Sequence, residues 1–362
     1  TAASDALIAG DAGRYMRALK SVLGQSLFHE KHALGGRRRT LSEIVSAFLT
    51  EVRTRAEAET GLTFSSVLSG RPVHFHSKDP DRDAQAEADL RACYHAAGFD
   101  AVDFLAEPEA AALATQGMGD GKGAGLVVDI GGGTSDFTAF LTEGTRPRIL
   151  ASHGIRLGGT DFDQAVSVTH AMPLLGLGSE LRREMGAGLL PVPRAPFVDL
   201  ATWAKIPFLY TPETRRMVAK MLQVAVDPQK IGRLATVLDM ELGHDLAFAV
   251  EAGKIAANGT EPEATIGMGF VEPGLAAPLT AQSLDKALSP NRQALRDAAA
   301  ETLTRAALSP GDVSRVILVG GSSLMGFVAE EMQALCGEAA ILRSEAFTAV
   351  VDGLALGSRR AT

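Results

Sequence analysis

The chain has 362 residues, 46% of them apolar, with 35 Lys plus Arg against 43 Asp plus Glu and a formal net charge of −8. That length suits two domains or lobes, the composition is globular and excludes a disordered chain, and the acidic balance argues against nucleic-acid binding driven by a basic surface. The two cysteines, Cys93 and Cys336, lack metal-ligand spacing and read as buried apolar thiols of a reducing compartment.

Residues 1–60 read as mostly helical, with apolar residues at helical spacing over Arg14 to Val22 and Leu41 to Glu59. Gly35-Gly36-Arg37-Arg38-Arg39 between them reads as a solvated basic turn. Phe64 to Phe75 reads as a strand interrupted at Gly70-Arg71-Pro72, and Ala84 to Ala97 as a helix ended by Gly98. A short strand, Val102 to Leu105, and an Ala-rich helix from Glu107 follow. Gly117 to Gly125, five of whose nine residues are Gly, is the expected loop between lobes. Two strands flank the glycines at 131–133, and Arg148 to Leu157 is a third. A helix follows with Thr160 or Asp161 as its N-cap. Residues 171–212, rich in Pro, Gly and Leu and carrying the only Trp, Trp203, read as an irregular insertion that packs. Helical periodicity covers Glu213 to Ala257, strand-like pieces occupy 264–272, a helix spans 280–308, and Arg315 to Leu335 is a strand–turn–helix.

The most informative stretch is Leu126-Val127-Val128-Asp129-Ile130-Gly131-Gly132-Gly133-Thr134-Ser135-Asp136. An apolar strand ends in an acid and three glycines, then a second strand-like run begins. Consecutive glycines let the backbone approach a ligand closely, and their N–H groups can point at an anion. Asp129 stands where it can hold the water shell of a Mg²⁺, which takes only one or two carboxylates. The alternative is a plain β-hairpin with a glycine-rich turn. A dinucleotide fingerprint is excluded because Asp136 occupies its third glycine position, and a Walker loop because Gly-Lys-Ser/Thr is absent.

Four further segments accompany this one. Leu157-Gly158-Gly159-Thr160-Asp161 follows a strand and opens a helix, whose free N–H groups and dipole would attract phosphate. Val319-Gly320-Gly321-Ser322-Ser323 does the same near the C-terminus, with glycines that would admit a flat ring or ribose. Glu107 sits at a strand end before Pro108 at a first helical position. Glu251 and Lys254 share one helix face. Each is ordinary alone: a glycine packing contact, a helix start, a surface ion pair.

Together and in this order they resemble the actin-like ATPase superfamily, and more closely the nucleotide-binding domain of DnaK-type seventy-kilodalton heat-shock chaperones. Asp129 to Asp136 resembles the family's second phosphate motif, Gly158 to Asp163 the segment after it, and Glu107 to Ala112 the connecting motif before it. Val319 to Ser323 is similar to the adenosine motif, and Glu251 to Lys254 to the adenosine-contacting helix. The resemblance runs from about residue 8 to 356. Arg17 to Ser21, Met172 to Gly176 and Leu200 to Trp203 are similar to a bacterial, YegD-like branch.

The resemblance implies an α/β actin-like fold of two lobes, each with a mixed β-sheet flanked by helices. Lobe I would be 1–118 plus 342–362, and lobe II 119–341 with 161–271 as its outer subdomain. ATP or ADP with Mg²⁺ would be the ligand. Asp129 would orient metal-bound water, and Glu107 would join the water and metal shell. Gly131, Gly132, Gly133, Thr134, Gly158 and Gly159 would hold phosphates. Glu251, Lys254, Gly320, Gly321 and Ser322 would hold the adenosine. The catalytic lysine's place falls to Arg14 or Lys20.

The sequence departs from the family in four places. No Asp-Phe-Gly-Thr-like first phosphate hairpin is present, so weak hydrolysis at most is expected. The arginine that stacks on adenine is Ile255. No arginine clearly matches the one paired with the proline at Pro72, and no substrate-binding domain follows. A scaffold or polymerising actin-like subunit is the alternative function, and a small-molecule kinase of the same superfamily a third. No apolar run reaches the ~18 residues of a membrane span, and no leader is visible after Thr1. The expected location is the cytoplasm, with protein clients or co-chaperones as partners and no nucleic acid or membrane.

Overall fold

The computed structural model describes residues 22–34, 37–76, 79–114, 123–143, 147–183, 186–259, 263–343 and 348–358. Arg14 and Lys20, and the helix expected over Arg14 to Val22 apart from Val22, lie outside them. The chain divides into two compact units. The first comprises Thr1–Gly121, Thr145–Pro147 and Thr348–Thr362, and the second Lys122–Gly144 and Arg148–Phe347.

In the first unit, strands β1 (His32–Leu34) and β2 (Arg37–Arg39) form an antiparallel pair. The helix Leu41–Thr60 starts at Thr40, whose Oγ1 accepts the Glu43 N–H at 3.1 Å while the Glu43 carboxylate accepts the Thr40 N–H at 2.8 Å. This reciprocal cap satisfies two otherwise open donors. Strand β3 (Ser66–Arg71) runs parallel to β4 (Ala101–Ala106), joined through the helix Pro80–Ala96, as a parallel connection requires. Glu107–Ala114 follows β4 directly as a helix. The helix Ala349–Ser358 packs on it so closely that a Cβ on Gly353 would overlap the Ala110 carbonyl.

The second unit is built on a five-stranded sheet. β5 (Gly123–Ile130), β6 (Ser135–Thr142) and β7 (Pro147–Ile155) lie beside β12 (Val313–Val319) and β13 (Ala340–Arg343), in the order β13-β12-β5-β6-β7. β12 is parallel to β5 and β13, whereas β5 and β6 are antiparallel, so the sheet is mixed. Leu126, Val128 and Ile130 alternate onto one face and are fully buried with Phe137 and Phe162. The Phe162 ring meets Phe327 edge-on at 5.3 Å.

Between β7 and β12 lie two short antiparallel pairs, β8 (Glu180–Arg182) with β9 (Leu189–Pro191) and β10 (Thr265–Gly267) with β11 (Ala276–Pro278). Around them are the helices Pro212–Val224, Pro228–Asp239 and Gly243–Asn258. The first two open on Thr211 and Asp227, whose side chains accept N–H groups three residues on, each with Pro at the first helical position.

Several expectations shift. Arg37–Arg39 pairs as a strand instead of forming part of a loop. β5 starts at Gly123, inside the expected linker, because β6 runs on to Thr142 and offers it a full ladder; Gly125 belongs there because the Phe140 ring crosses over its Cα. The described residues of 171–212 include the β8–β9 pair and the helix Ala195–Leu200, with Met172, Leu175 and Phe197 fully buried. Among the described residues no helix is long and apolar enough to cross a membrane.

In an open helix, Gly→Ala gains about 1 kcal/mol. At Gly353 the overlap with Ala110 reverses the sign, and Gly353→Ala should cost about 2 kcal/mol, read as a lower midpoint in thermal unfolding.

Candidate functional site

The site grows from the β5–β6 hairpin. The register sets Asp129 opposite Asp136 and Ile130 opposite Ser135, so the two carboxylates leave the sheet on one face. The Gly131 N–H donates to the Thr134 carbonyl at 2.9 Å and closes the turn. The carbonyls of Gly131 and Gly132 point back into the protein. That of Gly131 accepts the Gly159 N–H at 3.0 Å and the Ser322 hydroxyl at 3.1 Å. That of Gly132 accepts the Thr160 N–H at 2.7 Å and the Thr160 hydroxyl at 2.8 Å. A peptide carbonyl facing inward turns the following N–H outward. Among the described residues the N–H groups of Gly132, Gly133 and Thr134 meet no acceptor, and all three residues are exposed. Such a row of outward N–H groups is an anion-binding concavity.

Two neighbouring loops clamp this turn. The helix Gly159–Val166 has Gly158 as its N-cap, and the Asp161 carboxylate reaches back to the Gly158 N–H at 2.8 Å. Neither Thr160 nor Asp161 is the cap: Asp161 is the third helical residue, and the helix starts earlier because its first N–H groups bind the turn. Those donors, expected to be free for phosphate, are therefore taken by Gly131 and Gly132. A Cβ on Gly158 would lie 2.5 Å from the Gly133 nitrogen, backbone against backbone. The buried Ser135 hydroxyl donates to the Leu157 carbonyl at 2.7 Å and ties the same loop to β6. On the other side, Gly320 ends β12 at φ +83°, and a Cβ there would lie 2.5 Å from the Ile130 carbonyl oxygen and 2.7 Å from Asp129 Oδ1. Only glycine fits that conformation at that distance. Gly321 and Ser322 continue as a short 3₁₀ turn.

The helix Gly243–Asn258 carries Glu251 and Lys254. Glu251 is exposed, whereas Lys254 is buried and its Nζ lies 2.6 Å from Asp163 Oδ1. The partner of Lys254 is thus not Glu251 but an acid on the helix that holds the turn. Asn258 closes a further link: its Oδ1 accepts the Gly326 N–H at 2.7 Å, and its Nδ2 donates to the Leu324 carbonyl at 3.2 Å. Ile255 is 60% exposed, an uncovered apolar side chain beside the lysine.

The structure therefore brings Asp129, Gly131, Gly132, Gly133, Thr134, Gly158, Gly159, Gly320 and Ser322 together in the second unit. Glu107 belongs to the first unit. It is half-buried at the end of β4, with its Cγ 3.2 Å from where a Cβ on Gly70 would stand. Sequence reasoning left Asp136, Asp163 and Asn258 without roles. The mirror placement of Asp129 and Asp136 about the glycines was a usable signal for the first. The two cysteines are free and buried, and burial pushes the Cys336 thiol up to about 11, outside the range of a reactive thiolate.

Truncating one half of the Lys254–Asp163 pair leaves a poorly hydrated charge. Lys254→Met and Asp163→Asn should each cost about 2–3 kcal/mol in urea unfolding, and the double variant should recover part of that loss.

Residues 24–173 match the family model described as Hsp70 protein. The matched span includes Glu107, the glycine turn and the helix that clamps it, and ends before Glu251, Lys254 and the 320–322 segment. An Hsp70 domain points to nucleotide-binding, chaperone-like function, with ATP or ADP and Mg²⁺ as the ligands general to that family. The match makes residues 24–173 similar to Hsp70 proteins, and the mixed α/β fold accords with that likeness.

Proposed function

We propose that this chain is an ATP-binding, chaperone-like protein of the DnaK type, in a YegD-like bacterial branch, that turns ATP over slowly at most. The observation that carries the reading is the Gly131–Thr134 turn. Its Gly131 and Gly132 carbonyls are anchored inward by Gly159, Thr160 and Ser322, which turns the Gly132 and Gly133 N–H groups outward next to the exposed Thr134.

In this reading the N–H groups of Gly132, Gly133 and Thr134 bind phosphate oxygens. Gly158 and Gly159 hold the turn from behind, and Gly320 and Ser322 hold it from the side. Gly320 and Gly321 leave room for the sugar or base at the end of β12. Glu251, exposed on its helix, is free to accept ribose hydroxyls, while Lys254 braces that helix through Asp163. Asp129, whose Oδ1 lies beside Gly320, is the hard-oxygen donor next to the turn, and a single carboxylate fits Mg²⁺, which keeps several waters and needs few carboxylates. When bound, Mg²⁺ neutralises phosphate charge. Asp129 would orient a water for in-line attack, a positioning role of the kind that dominates phosphoryl transfer. Glu107, with Arg14 or Lys20, completes the catalytic set. Lobe I over 1–118 and 342–362 and lobe II over 119–341 are the proposed division, with the cytoplasm as location and protein clients or co-chaperones as partners.

Titration of Mg·ATP and Mg·ADP by calorimetry tests this. Binding should require Mg²⁺, and Asp129→Asn should abolish this Mg²⁺-dependent binding with the circular dichroism spectrum unchanged. Gly158→Ala should displace the turn and weaken binding roughly tenfold or more, the equivalent of losing about one charge-assisted hydrogen bond. Absence of binding by either nucleotide would move the function to a scaffold that works without turnover.

A further inference from the structure

Away from the glycine turn, the second unit carries an open groove of about 900 Å³ between the β8–β9 hairpin and the helix Pro212–Val224. Its charge is opposite to that of the chain. Arg182 and Arg183 line it from the hairpin, and Arg216 and Lys220 from the helix, against one carboxylate among the described residues, that of Glu213. The whole chain, by contrast, has a formal net charge of −8. All four cations are exposed. Arg216 is paired with Glu213 at 2.8 Å, and the Arg182 guanidinium donates to the Ala225 carbonyl at 2.6 Å, which fixes the hairpin rim to the end of the helix.

The floor is apolar. Met217, Met221 and Val224 recur at helical spacing on one face, joined by Leu181, and each is buried or half-buried. Leu190 stands 44% exposed on the hairpin side. Methionine-rich floors adapt to varied apolar partners. Arg216 and Lys220 lie one turn apart, so the helix presents its cations as a row along one rim, with Arg182 and Arg183 on the other.

Cations on both rims and an apolar floor match one partner chemistry. We infer that this groove docks an acidic amphipathic helix, a peptide segment with a stripe of Leu- or Met-sized residues flanked on both sides by Asp or Glu. The apolar stripe covers the methionine floor and the carboxylates meet the two rims, the helix-in-groove mode of recognition. A nucleic acid fits less well, because among the described residues no aromatic side chain lines the groove to stack a base. The inference stands apart from the nucleotide reading, since none of these residues belongs to the glycine turn or its clamps.

The test uses the full chain and a fluorescein-labelled synthetic helix with Leu at i, i+3, i+4 and i+7 and Glu on its flanks, followed by fluorescence anisotropy. The Glu peptide should bind and weaken as salt rises, and its counterpart with Lys in place of Glu should not bind. Lys220→Glu should weaken binding roughly tenfold, and Lys286→Glu, the same charge change on the exposed face of another helix, should leave it within about twofold. Leu190→Ser should weaken binding while leaving its salt dependence intact. Circular dichroism verifies that each variant is folded. Equal loss for Lys220→Glu and Lys286→Glu, or no loss for Lys220→Glu, overturns the groove as the site. Binding of single-stranded RNA or anionic vesicles with the same dependence on Lys220, and tighter than the peptide, overturns the partner.

Discussion

Everything at the candidate site depends on which way two peptide carbonyls point. Those of Gly131 and Gly132 face inward and are captured by the first N–H groups of the helix Gly159–Val166, with Ser322 adding a hydroxyl from a third segment. A helix start leaves several N–H groups without intrahelical partners. Here they anchor a neighbouring turn instead of a ligand, so the anion-seeking surface is moved from the helix to the hairpin. The helix contributes by orientation and the turn by contact. A glycine turn free in solution would sample many conformations, and this one is held to one orientation by hydrogen bonds from two separate loops.

The same helix is the point where the rest of the second unit attaches. One turn further along it carries Asp163, paired with the buried Lys254, and beside it Phe162, packed into the core against Phe327. The helix of Lys254 reaches on through Asn258 to the segment after β12. That segment in turn supplies Ser322 to the turn. The polar contacts thus form a closed loop from turn to helix to helix to strand end and back. A shift at any member is felt at the turn, because close-packed interiors transmit displacement instead of absorbing it.

Much of this was legible in the sequence where the signal was local. The apolar run into Asp129 and three glycines announced a strand and a backbone turn, and Glu107-Pro108 announced a strand end and a helix start. The α/β class followed from the family resemblance that these motifs carry. What was not legible was set by distant partners. Lys254 and Glu251 read as a pair because they are three residues apart, yet burial gives Lys254 to Asp163, ninety-one positions earlier. Thr160 and Asp161 both suit an N-cap, and only the closeness of Gly158 to the turn shows that the helix starts before them. Glycines misled in the opposite direction at 123–125: composition marks a linker, but a bare Cα beneath Phe140 is a packing requirement that composition does not record.

The long insertion shows how composition can conceal order. Its prolines and glycines over 171–212 signal turns, and the structure does contain turns, but Met172, Leu175, Phe197 and Leu200 in the same stretch are buried. Prolines at first helical positions shorten connections and do not abolish helices. One consequence is the hairpin at 180–191, too short to announce itself by alternation. It carries adjacent arginines opposite a helix with its own cationic row. Sequence distance separates these two rims by about thirty residues, so no window-based reading joins them. The Leu181–Ala225 bridge and the Arg182 hydrogen bond to the Ala225 carbonyl do, and in doing so they gather positive charge around an apolar floor in a chain that is otherwise acidic.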